Sequence, residues 1–262
     1  MKRWIKHVLG WLLARLRLHH SLLRDRAVIV LFHRVDDRLD GDALSCTRNE
    51  FRGWCQFFQR HLRVVSLTDL LDKVRRREDI SGHVAITFDD GYLDNARSAA
   101  PDLCEFGLPA CFFVATEFVQ SNTVPWWDEH LPIRPEWMTW SDVRALADQG
   151  FEIGGHTMNH VDLGVVDAEE ADREIRGSLA RLEQELGRPV HHFAYPYGRR
   201  EQITPGNREL VKDAGFASCL SSYGGVVRPG DDAHNIRRTP ISGWYVSPYQ
   251  FLFELILQAR RA

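Results

Sequence analysis

Two carboxylates stand side by side in Val84-Ala85-Ile86-Thr87-Phe88-Asp89-Asp90-Gly91-Tyr92, directly after an apolar run. The run is rich in β-branched and aromatic residues, which fit a buried strand, and Gly91 lets the backbone turn sharply at its end. Adjacent negative charges repel, and a bound cation relieves the repulsion. One carboxylate can then hold the cation while the other handles a proton. A second set lies in His156-Thr157-Met158-Asn159-His160. Residues four apart face the same way over one helical turn, so the spacing predicts two imidazoles on one metal. Two histidines and one acid leave positions open to water or substrate, which suits catalysis rather than a closed structural site. Each motif alone has a bland alternative: a solvated strand-end turn, or a chance pair among 12 histidines. Their joint occurrence after strands is what points to chemistry.

The rest of the chain supplies elements to carry these groups. Ala27 to Phe32 is a buried-strand pattern running into His33. Further strands are expected at 63–67, 109–115, 151–155, 192–198 and 217–221. Between them lie helices. Thr47 and Glu50 form a capping box for one that ends near Leu62. Thr68 is expected to cap the next, through Arg77. Others span 93–106, 141–150, 168–186 and 208–214, and Ser247-Pro248 opens the last. Residues 117–135, with three prolines, read as a long irregular insertion, and such loops are often functional. Alternating strands and helices predict a parallel sheet with right-handed crossovers. Roughly seven units favour a closed or nearly closed β/α barrel, with an open doubly wound sheet as the alternative. His33, Asp89, Asp90, His156, His160 and Tyr197 all fall at expected strand ends, the rim where such barrels do chemistry.

Length and charge narrow the field. The chain has 262 residues and a net charge of -3, with no basic nucleic-acid footprint. No G-x-G-x-x-G occurs, so nucleotide binding has little support. The charge is uneven: residues 1–26 hold seven Lys or Arg and one acid, giving +6 and leaving -9 for the remainder. Residues 1–25 form a basic amphipathic arm ahead of a catalytic domain at 26–262. Ile5, Val8, Leu9, Leu12 and Leu16 recur at helical spacing, with Trp4 and Trp11 nearby. The arm either lies on an anionic membrane face or packs on the domain, with a cleaved signal as a weaker third reading. Five cysteines without a C-x-x-C suggest no disulfide framework and a reducing compartment. The expected location is cytoplasmic, with peripheral contact at the inner membrane face as an option.

Together the motifs resemble those of the NodB-homology polysaccharide deacetylases, carbohydrate esterase family four, over about residues 27–240. That family's T-F-D-D-G stands complete as Thr87 to Gly91, and its H-[ST]-x-x-H as His156 to His160. Its R-x-P-Y-G appears as Ala194-Tyr195-Pro196-Tyr197-Gly198, without the arginine. The resemblance implies a distorted (β/α)7 barrel and hydrolysis of an acetyl group from a sugar. It implies a divalent metal, foremost Zn²⁺, with Co²⁺, Ni²⁺ or Mn²⁺ as alternatives. It implies Asp89 as general base, Asp90, His156 and His160 as metal ligands, the Tyr197 N–H as an oxyanion donor, and Pro196 as a substrate-binding residue.

The chain departs from the pattern in two places. Ala194 stands where the base's arginine partner is usual; Arg237 or Arg238 could partly replace the lost charge, with a solvent-facing salt bridge as the blander reading. No late-motif histidine is evident as the acid, which leaves His33 and His234 as candidates. Trp126, Trp127 and Trp140 offer faces for a sugar ring. The expected substrate is an N-acetylated amino sugar in a glycan or a lipid-linked precursor. Other readings are hydrolysis of a formamide or cyclic ureide, a carbohydrate-binding module without turnover, and a two-histidine iron oxygenase.

Overall fold

The computed structural model describes residues 1–261. Seven parallel strands build the central sheet: β1 (Ala27–Phe32), β2 (His83–Phe88), β3 (Cys111–Val114), β4 (Glu152–Gly155), β5 (His192–Ala194), β6 (Ser218–Leu220) and β7 (Thr239–Pro240). Their order is β7-β1-β2-β3-β4-β5-β6. The sheet curls until its edges nearly meet, and a single bridge, Leu220 to Ile236, joins them just before β7. This is the distorted (β/α)7 barrel. Strands β1 and β2 are buried at every residue, as a parallel sheet covered on both faces requires.

The strand count of seven holds with one exchange of members. The expected strand at 63–67 contributes only Arg63–Val64, paired beside the start of β2. The seventh barrel strand is Thr239–Pro240, in register with Val30 and Leu31.

Helices cover the outside: α1 (Arg3–Arg15), α2 (Leu18–Leu22), α3 (Arg48–His61), α4 (Leu67–Arg75), α5 (Ala100–Phe106), α6 (Trp140–Asp148), α7 (Ala168–Leu186), α8 (Pro205–Ala214) and α9 (Pro248–Arg261). The Thr47–Glu50 capping box heads α3. Ser66, not Thr68, caps α4 by accepting from the Asp69 N–H; Thr68 lies inside the first turn, its hydroxyl against His192 Nε2. Helix α5 is preceded by a π-helical stretch, Asn95–Ala99. Pro101 just beyond it lacks the N–H that an α-helical ladder needs.

Glycines on β4 let the barrel wall close around the site. A Cβ on Gly154 would lie 2.4 Å from the Phe113 ring and 2.9 Å from the His192 carbonyl oxygen. Helix α1 sits on α9 in the same way, since a Cβ on Gly10 would meet the Tyr249 carbonyl oxygen at 1.8 Å. Lys6 pairs with Glu254 at 2.8 Å and fixes the crossing. The arm therefore rests on the domain through a small-residue face, Gly10 and Ala14, while Trp4, Val8, Trp11 and Leu12 face outward. All five cysteines are free, and no described helix is long and apolar enough to cross a membrane.

Candidate active site

Strand ends bring the polar groups to one cavity of about 600 Å³. Asp89 and Asp90 follow β2, His156 follows β4, and Tyr197 lies three residues beyond β5. The cavity also touches His33, His160, Trp126 and Trp127.

At its floor the Asp90 Oδ1 lies 3.2 Å from His156 Nε2 and 3.3 Å from His160 Nε2. All three residues are buried. His156 Nδ1 meets the Ala194 carbonyl oxygen at 2.7 Å, so in the neutral ring that nitrogen donates and Nε2 carries a lone pair. His160 turns its Nε2 to the same oxygen, and the Asp90 Oδ1 has no well-aligned hydrogen bond. A proton on either ring, or a bound cation, would satisfy the cluster. The donor set of two imidazole nitrogens and one carboxylate oxygen suits a divalent metal. The spacings match the roughly 3.3–3.4 Å edge of a tetrahedron drawn around a zinc-sized ion. Burial works against charge on Asp90, yet hydrogen bonding and charge from His156 and His160 outweigh it and hold the carboxyl well below the usual range.

The two histidines do not converge by a helical turn, as their spacing suggests. Residues 156–160 form a loop in which Thr157 and His160 take positive φ of 60° and 54°. The buried Glu174 of α7 holds it, accepting from the Met158 and Asn159 N–H groups at 2.8 Å each and from Asn159 Nδ2 at 2.7 Å. Asp90 and Tyr197 also have positive φ, 77° and 59°. Strain of this kind collects at functional sites because the surrounding structure holds it in place.

Asp89 lies beside this cluster, its Oδ2 3.9 Å from His156 Nε2. Arg238 grips it with two parallel bonds, Nη1 to Oδ1 and Nη2 to Oδ2, both 2.7 Å. Arg238 is fully buried, its Nε donates to the Ser221 carbonyl oxygen, and its guanidinium stacks 5.1 Å from the Phe113 ring centre. The charge absent at Ala194 is thus supplied from the approach to β7. Arg237 is half-buried and does not touch Asp89. Among the described residues nothing accepts from the Tyr197 N–H.

His33 opens onto the cavity. Burial lowers its pKa, and the charges of Asp90 and Asp89 partly oppose that. Trp127 packs 4.5 Å from the His160 ring, while Trp126 is two-thirds exposed and its Nε1 reaches the Tyr197 hydroxyl at 3.3 Å. Three expected residues are not brought to the cavity wall. His234 Nε2 pairs with the Phe216 carbonyl oxygen at 3.1 Å, in a short turn outside the cavity. Trp140 begins α6 as a buried packing residue, with the Arg181 guanidinium over its ring. Pro196 is buried between Tyr195 and Tyr197, which do line the cavity.

The insertion at 117–135 is pinned from within. Buried Arg34 pairs with Asp128 and with Asp42. Tyr92 donates to Asp128 at 2.8 Å and accepts from Trp127 Nε1 at 3.0 Å. This network orients Trp127 against His160. A lone arginine just past a strand and a carboxylate on the buried face of α7 were the sequence signals for Arg34 and Glu174, and both are easily taken for surface charges.

Comparison with known proteins bears on the family and the fold. The family model described as polysaccharide deacetylase matches residues 76–218. YxkH of Bacillus subtilis strain 168, assigned by name to the polysaccharide deacetylases, is 27% identical over 159 residues, 61% of this chain. The match spans only about half of that relative's length, 51%. Among solved structures, the Streptococcus pyogenes deacetylase PplD superposes with a TM-score of 0.74 at 17% identity, covering 88% of this chain and 98% of its own. IcaB from Ammonifex degensii gives 0.72 at 24% identity, covering 88% and 97%. These two likenesses speak for the fold.

Proposed function

This chain belongs to the polysaccharide deacetylase family, and on that footing we propose that it is a metal-dependent hydrolase removing an N-acetyl group from an amino sugar, in a polysaccharide or a lipid-linked glycan. The observation that carries the reading is the convergence, in one cavity, of the Asp90, His156 and His160 acceptors with a carboxylate clamped by a buried arginine.

Asp90, His156 and His160 would hold the metal, zinc foremost, which when bound polarises an acyl carbonyl and makes water more acidic. Asp89 withdraws the proton of the attacking water, and Arg238 keeps that carboxylate ionised and aimed. The Tyr197 N–H donates to the oxygen on which negative charge develops. The proton taken by Asp89 goes on to the departing nitrogen as the C–N bond breaks, and His33 on the cavity wall is the group placed to relay it. The products are acetate and a free amine, with one water consumed.

Trp126 supplies a ring face at the cavity mouth. Trp126→Ala should raise KM about tenfold with kcat little changed, because stacking on a remote ring binds ground and transition states alike. Steady-state kinetics check this, and an equal fall in kcat would instead place Trp126 in the chemistry.

The reading is tested by offering the zinc-loaded protein N-acetylglucosamine oligomers beside formamides and cyclic ureides. Equal release of acetate and free amine from the oligomers supports it. Turnover of the small amides alone would overturn it.

A further inference from the structure

We propose that the outward face of α1 is a docking surface for an anionic lipid bilayer. Trp4, Val8, Trp11, Leu12 and Arg15 fall on one side of the helix. All are exposed, Trp4 by 63% and Trp11 by 45%. Scattered exposed apolar residues are ordinary, but a contiguous stripe holding two tryptophans is not.

Folding does not account for the stripe. Helix α1 is held to α9 by its opposite side, through Gly10, Ala14 and the Lys6–Glu254 pair. His7 Nδ1 also meets Ser247 Oγ at 2.6 Å. On the α9 side of the helix, Trp244 and Val246 of a neighbouring loop are also exposed, and Arg3 lies 5.1 Å over the Trp244 ring. Tyr245 in that loop lines the cavity.

Charge names the occupant. Residues 1–26 carry +6 on a chain whose remainder carries -9. An apolar stripe edged by Lys2, Arg3, Arg15 and Arg17 matches an interface of acyl chains beneath anionic headgroups. Tryptophan rings settle at that depth, and Arg15 can extend its head back to the phosphates. A second copy of this chain would set the basic residues flanking one stripe against those flanking the other.

The experiment is co-sedimentation of the full chain with phosphatidylcholine vesicles, with and without phosphatidylglycerol, at about 0.1 M salt. The protein should pellet with the anionic vesicles and remain in solution with the neutral ones. The double variant Trp4→Ser/Trp11→Ser should lose about tenfold or more of that binding, with an unchanged melting temperature, since both rings face outward. Wild-type protein that stays in solution with anionic vesicles would overturn the proposal. So would a double variant that binds equally well. Sedimentation velocity showing a dimer that the double variant dissolves would overturn it too, by giving the face to a second copy.

Discussion

Asp89→Asn should lower kcat about a thousandfold, inside the hundredfold to ten-thousandfold range of general-base removal, while KM moves only a few-fold. Asparagine keeps the shape of the side chain and cannot take a proton. The metal-holding trio is intact in this variant, so bound zinc measured after dialysis should match wild type. A variant retaining a tenth or more of wild-type kcat would show that another group activates the water. Because Asp89 also neutralises Arg238, the substitution leaves a buried guanidinium without its anion. A fall in unfolding free energy of about 3–5 kcal/mol is expected with it, and rates must be taken per folded molecule.

Arg238→Met is expected to cost comparable stability, about 3–5 kcal/mol, because it strands the buried Asp89 carboxylate instead. Activity should drop tenfold or more. Arg238→Lys should restore only part of it, since an ammonium brings the charge but not the planar fork that meets both carboxylate oxygens. The double variant Asp89→Asn/Arg238→Met separates the two roles. It removes both charges together, so it should be more stable than either single variant and still inactive. Denaturant melts and kcat on the four proteins form the cycle. Equal and additive losses would mean that the pair is not coupled. Regained activity in the double variant would remove Asp89 from the chemistry.

Much of this site was legible in the sequence because its parts lie at strand ends. Strands buried on both faces read as apolar runs, and a charged or imidazole side chain at the end of such a run stands out. Hence Asp89, Asp90, His156 and Tyr197 could be placed on one rim before any coordinates. The seventh strand could not be read, because Thr239–Pro240 is two residues long and carries no alternation. Its neighbour Arg238 was one of two adjacent arginines, and only the barrel's closure brings it to a partner 149 residues earlier. His156 and His160 converge through a left-handed loop held by Glu174, so the i, i+4 spacing reached the right pair by the wrong geometry. His234 was a candidate acid only by its place late in the chain, in a loop-like stretch, and it lies in a turn where its ring pairs with the Phe216 carbonyl oxygen. The arm posed a choice between membrane and domain. Its small residues seat it on α9, and its tryptophans remain outside.

The central claim is that Asp90, His156 and His160 hold a metal on which hydrolysis depends. The most direct measurement is acetate release from N-acetylglucosamine oligomers by chelator-stripped protein, before and after addition of Zn²⁺ or Co²⁺, with His160→Ala alongside. The account predicts no release when stripped, recovery at about one metal per chain, and neither binding nor recovery in His160→Ala. Full activity in the stripped protein, or recovery in His160→Ala equal to wild type, would contradict it.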